Sequence, residues 1–139
     1  MGSRSKARKR ALDVLFEAEQ RDVDVRSVFL RVATDATSPL NPYTEELVNG
    51  VTAHRDRIDE LIATYAEGWS LDRMPAVDRN LLRIAVYELL YESDVPSQVA
   101  IDEAVTLAKD LSTDDSPSFI NGVLGRIESL RERLSDVKE

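Results

Sequence analysis

The sequence has no cysteine, a single histidine, five glycines and five prolines, and no apolar run longer than a few residues. Without cysteine, neither a disulfide-stapled scaffold nor a thiolate metal site is available. His54 alone cannot furnish a two-histidine metal site, and most proton relays lack their parts; it reads as an exposed polar residue at a helix end. A bilayer span needs about 18 consecutive apolar residues, and nothing here approaches that. The charged N-terminus is not followed by the apolar core of a secretion signal. There is no glycine-rich phosphate loop and no serine in a nucleophile-elbow context. These absences point away from an enzyme, and toward a soluble, cytoplasmic protein with no cofactor and no metal.

The 139 residues, 42% hydrophobic and 32% charged, suit one domain over 1–139. A chain of this length buries about 68–70% of its unfolded surface around a single core. Charge is distributed unevenly. Residues 1–10 hold Arg4, Lys6, Arg8, Lys9 and Arg10 with no acid, a net +5, while the remainder carries −13. A basic arm over 1–10 on an acidic body suits a polyanion at one end and a basic partner elsewhere. A merely solvated terminus is the plainer reading of the same run.

Helical spacing runs through the whole chain, and no alternating pattern persists long enough for a strand. Ala7, Ala11, Leu15 and Ala18 recur at three- and four-residue steps, with Leu12 and Phe16 beside them. Val25, Val28, Phe29 and Val32 mark a second helix, and Asp35–Pro42 a connector. Asn41-Pro42 has the form of a capped helix start, leading into Leu47, Val48 and Val51. Ile58, Leu61, Ile62 and Tyr65 follow, until Gly68-Trp69-Ser70 interrupts. From Val77 to Leu90 apolar residues fall on nearly every face, which predicts a helix surrounded by others at the centre of the core. Asp94-Val95-Pro96-Ser97 stops that segment and caps the next, whose stripe is Ile101, Ala104, Val105, Ala108 and Leu111.

Ser116-Pro117 repeats the cap-then-proline device, with Asp114 and Asp115 at the positive end of the last helix. Asp102 and Glu103, adjacent on a helix, read as a solvated face. Gly122 lies inside the final helical pattern, where it costs roughly 1 kcal/mol relative to alanine and so suggests close packing or a close ligand. The expected fold is all-α, a compact bundle of six or seven helices.

The five N-terminal cations suit RNA phosphates, which exchange their counterions for fixed guanidinium and ammonium groups. Base selection would need stacking or base-edge contacts from elsewhere, and Phe16 and Phe119 are candidates unless both belong to the core.

Leu82-Arg83-Ile84-Ala85-Val86-Tyr87-Glu88-Leu89, then Asp94-Val95-Pro96, then Val99-Ala100-Ile101-Asp102-Glu103-Ala104-Val105 follow in that order. Leu107-Ala108-Lys109 comes next, with Ser116, Phe119 and Ile120-Asn121-Gly122-Val123-Leu124 to close. In order and spacing over 77–125 the chain resembles the NusB family of bacterial transcription antitermination factors. Ala7-Arg8-Lys9-Arg10-Ala11 fits the family's arginine-rich opening, and the likeness is weakest over 21–65. Asp102 stands where the family carries asparagine, which removes an amide donor.

The resemblance implies two three-helix bundles and a basic N-terminal segment that binds boxA RNA. It implies as partner NusE, a small-subunit ribosomal protein, with further Nus factors and RNA polymerase engaged indirectly to suppress termination, chiefly in ribosomal RNA synthesis. By motif position Arg4, Lys6, Arg8, Lys9 and Arg10 carry over as RNA contacts, and Phe16, Asp115 and Phe119 as neighbours of the RNA path. Asp78 and Glu88 match acidic positions on the NusE-facing side. Family members resemble both monomers and dimers, which leaves a homodimer open. Two other readings remain: a protein-binding helical adaptor, and a detached NusB-like domain of an rRNA cytosine methyltransferase. The start methionine and the charged tail Arg131–Glu139 look like natural ends and count against the second.

Overall fold

The computed structural model describes residues 2–137, with side chains described as far as Arg131. Seven α-helices follow one another: α1 Ser3–Arg21, α2 Val25–Asp35, α3 Pro42–Ala53, α4 Arg55–Tyr65, α5 Ala76–Tyr91, α6 Ser97–Leu111 and α7 Ser116–Val137. A single 3₁₀ turn, Leu71–Arg73, precedes α5. There is no strand among the described residues, so the all-helical expectation holds.

Local chemistry sets several of these boundaries. Asp24 caps α2 by accepting from the Ser27 amide at 3.2 Å. Asn41 caps α3 by accepting from the Tyr43 amide at 2.9 Å, with Pro42 in the first turn. Both side chains satisfy amides that the helix start leaves without a partner. Ser97 and Ser116 behave otherwise. Each is the first helical residue, and neither caps. The Ser116 hydroxyl turns inward to donate to Asp78 at 2.8 Å.

Helices α1–α3 pack as one group, and α5–α7 as another with α4 laid across α5 and α7. α5 is shared, since α1 and α3 also rest on it. Its residues 81–89 are buried without a break, as the apolar run predicts. Leu81 and Leu82 meet Leu47, Ile58, Ile62 and Ile120 in the core. Each such side chain contributes about 1.5–3 kcal/mol by leaving water.

Two glycines matter to this packing. A Cβ on Gly50 would lie 2.2 Å from the Tyr87 ring, so only a bare backbone lets α3 close on α5. Gly68 takes φ +91° and turns the chain after α4, a conformation that suits glycine alone. Gly122 is not a site of close packing. A Cβ there would meet only the mobile end of Arg126, at 3.4 Å. No helix among the described residues is long and apolar enough to cross a membrane.

Candidate nucleic-acid interface

Residues 3–10 form the first turns of α1 and not a separate arm. α1 presents small residues inward: Ala7, Ala11 and Ala18 are buried, so the helix lies close against its neighbours. Arg8 shares that inner face. It is 3% exposed, and its Nε donates to both Glu88 carboxylate oxygens, at 3.0 and 2.9 Å. Its Nη1 donates to Glu103 at 3.0 Å. Tyr43 of α3 donates its hydroxyl to Glu88, and Ser5 donates to Glu103.

Burial works against the charge on Arg8, but the hydrogen bonds and attraction of Glu88 and Glu103 outweigh it, and its pKa rises. Burial, and after it the Glu88 carboxylate, push the Tyr43 hydroxyl well above its ordinary range, which keeps it a neutral donor. Arg8 is therefore saturated inside the protein and is not placed to meet a phosphate. Expecting it to be a surface contact was wrong, because the base content of the segment hides which face each cation occupies.

Asp78 and Glu88 need the same correction. Both lie inside the protein, 3% and 1% exposed. Glu88 is filled by Arg8 and Tyr43, while Asp78 accepts from Ser112 and Ser116 at the α6–α7 junction. Neither offers an oxygen to an outside partner. Their roles are structural: Glu88 seats α1, and Asp78 seats the start of α7. Glu103 is likewise no solvated acid, whereas Asp102 is exposed and accepts from Gln98.

The other cations face outward. Lys6 and Arg10 are exposed and make no ion pair among the described residues. Lys9 pairs with Asp13 one turn on, at 2.9 Å, an exposed pairing worth well under about 1 kcal/mol. Arg4 lies 4.5 Å over the Tyr43 ring and pairs with Asp94 at 3.0 Å. Lys6, Lys9 and Arg10 line one wall of an open cleft of about 600 Å³. The α2–α3 connector, Ala36 to Asn41, forms the other wall. Asn41 ties the two walls together by donating to the Ser3 carbonyl at 3.3 Å. The cleft is elongated, polar and cationic, which suits a phosphodiester strand better than a small apolar ligand.

At the far end of the same helix, Phe16 is 36% exposed and clear of the core, although its spacing also fits a core role. Asp115 is exposed at the start of α7. Phe119 is half-buried against the core, with the ring of Trp69 edge-on at 6.3 Å. Trp69 entered the sequence reading only as part of a helix break, since nothing in the pattern separates an exposed tryptophan from a buried one. His54 does lie at a helix end, but half-buried, stacked on Tyr91 at 3.9 Å.

The NusB family profile matches residues 5–129. This chain belongs to the NusB family. Transcription antitermination protein NusB of Saccharopolyspora erythraea is 60% identical over 136 residues, spanning 96% of this chain and 92% of the relative. The NusB protein of an Arthrobacter species is 58% identical over 135 residues, spanning 96% and 98%. NusB from T. maritima superposes with a TM-score of 0.82 at 36% identity, over 93% of this chain and 92% of that one. A crystal structure of antitermination factors NusB and NusE in complex with dsRNA contains a chain that superposes with a TM-score of 0.83 at 28% identity, over 94% and 98%. Membership of the NusB family places the chain among transcription antitermination factors, which are regulators and not enzymes.

Proposed function

We propose that this chain suppresses transcription termination in the cytoplasm by binding boxA-type single-stranded RNA together with NusE, a small-subunit ribosomal protein, chiefly during ribosomal RNA synthesis. The carrying observation is the cleft in which Lys6, Lys9 and Arg10 are displayed in a row by an ordered helix. Preordered cations bind phosphate without first losing the conformational entropy of a floppy arm. Arg4 joins them when RNA displaces its exposed contact with Asp94. Phe16, Asp115 and Phe119 flank the onward path of the strand. A family relative captured with NusE and RNA supports the partnership. The −13 carried by residues 11–139 suits a basic ribosomal protein. Further Nus factors and RNA polymerase join through that complex; a homodimer is the alternative use of the same surfaces.

The test is binding of the whole chain to a single-stranded boxA RNA and to a scrambled control, with and without NusE, across a salt series. Selective binding that NusE strengthens is the expected result. Equal retention of both RNAs in both conditions would make the cleft a nonspecific tether and favour a protein-binding adaptor.

A further inference from the structure

The sole tryptophan of the chain stands on a loop that is held fixed yet leaves the indole open to solvent. The loop joins α4 to α5. Arg126 of α7 grips its beginning, donating Nε and Nη2 to the Tyr65 carbonyl at 3.0 and 2.9 Å. Arg79 of α5 grips its end, donating Nη1 to the Leu71 and Met74 carbonyls at 2.6 and 3.0 Å. Between these anchors Glu67 and Gly68 take positive φ and reverse the chain. Trp69 emerges at the apex, 53% exposed. Its indole N–H finds no acceptor among the described residues, and its neighbour is the half-buried ring of Phe119.

A large apolar ring held half in water by a pinned loop is ready to be covered by a flat partner, because the entropy of ordering it has already been lost. Three observations identify that partner as a nucleobase. Phe119 at its edge adds a second aromatic ring. Arg73, in the 3₁₀ turn of the same loop, is exposed and has no ion pair among the described residues, so a cation for the phosphate stands nearby. Arg79 also binds Glu19 of α1, through Nε at 2.9 Å and Nη2 at 2.7 Å. The loop is thereby fixed to the helix that carries Lys6, Lys9 and Arg10.

We propose that Trp69, with Phe119 at its edge, is a base-stacking platform for single-stranded RNA, a contact point separate from the cationic cleft. It rests on the RNA-binding reading above. Because Trp69 is the only tryptophan, its emission reports on this position alone.

The experiment titrates the whole chain with a single-stranded boxA oligoribonucleotide, following labelled-RNA anisotropy and tryptophan emission together. The expected result is quenching with the same midpoint as the anisotropy change. Trp69→Ala should weaken binding by about fivefold or more, with the slope against log salt unchanged, because no phosphate contact is lost. Trp69→Phe should restore most of the affinity. RNA binding seen by anisotropy with unaltered emission would overturn the platform and leave the RNA reading intact. Quenching with full affinity in Trp69→Ala would also overturn it, as proximity without stacking. No binding by anisotropy would remove the RNA reading and the platform with it. A thermal melt of each variant checks folding, and should Trp69→Ala fail to fold, the emission of the wild-type chain and the affinity of Trp69→Phe decide.

Discussion

The two ends of α1 are fastened to α5 by ion networks of opposite polarity. Near its N-terminus α1 supplies a cation, Arg8, to the acidic Glu88 of α5. Near its C-terminus it supplies an acid, Glu19, to the basic Arg79 and Arg83 of α5, with Asp59 of α4 completing the second set. Turning α1 end for end would set Arg8 against Arg79 and Arg83, and Glu19 against Glu88. A slip of one turn would break both sets. The inner face of α1 is rich in alanine, which packs closely but distinguishes poorly between registers. The charges supply the direction and register that small side chains leave undetermined. The ends differ in dryness too. The Arg8 and Glu88 side chains are 4% and 1% exposed, whereas Glu19 is 23% exposed.

That difference in dryness ranks the expected effects. Glu88→Ala strands a buried guanidinium and should lower stability by about 3–5 kcal/mol in a denaturant melt. Glu88→Leu combined with Arg8→Met should recover much of it, since an apolar replacement of the whole pair leaves no orphaned charge. A double variant as unstable as the single one would show that the network does more than offset its own desolvation.

Glu19→Gln should cost less, about 1–3 kcal/mol, because Arg83 keeps Asp59. Its signature is the pH dependence. Burial alone would raise the pKa of Glu19, but the hydrogen bonds from Arg79 and Arg83 outweigh that and bring it to about 2, from an ordinary 4.5. A carboxylate depressed on folding contributes stability that is complete above the unfolded value and fades as pH falls. The wild-type chain should therefore lose stability between about pH 4.5 and 2 more steeply than Glu19→Gln. Parallel acid limbs for the two proteins would remove Glu19 as the cause.

The smallest effect on stability belongs to the outward cations. Lys6→Ala with Arg10→Ala should change it by under about 0.5 kcal/mol per site. RNA affinity should nevertheless fall, and its dependence on log salt should flatten by about 2, one unit per lost phosphate contact. A salt slope equal to that of the wild-type chain would place the RNA elsewhere on the molecule.

The sequence announces most of this fold and less of the site. Asn41-Pro42 marks the start of α3, and the run Val77–Leu90 marks the central helix, because capping and full burial leave local signatures. The buried charges are harder to see. Asp78, Arg83 and Glu88 look like solvent-facing residues because a single chain segment does not show that α1, α3, α4 and α7 cover every side of α5. Arg8 carried a readable signal nonetheless. It lies four residues before Leu12 and seven before Leu15, on the inner stripe, whereas Lys6, Lys9 and Arg10 lie off it. Separating cations by helical phase as well as by number would have split the basic segment into one internal anchor and an outward set. Trp69 had no such signal. Its exposure comes from two arginines on distant helices gripping the ends of its loop.

The close approach at Gly50 has a consequence for how this chain can change over time. One added methyl group would overlap the Tyr87 ring at 2.2 Å, while Gly125 meets nothing within 4 Å. Position 50 is confined to one residue for as long as Tyr87 keeps its ring, and position 125 is free to drift as far as packing is concerned. Any lineage that loses the glycine must shrink the aromatic first or together with it. The two sites, 37 residues apart in the chain, are then obliged to vary as a pair.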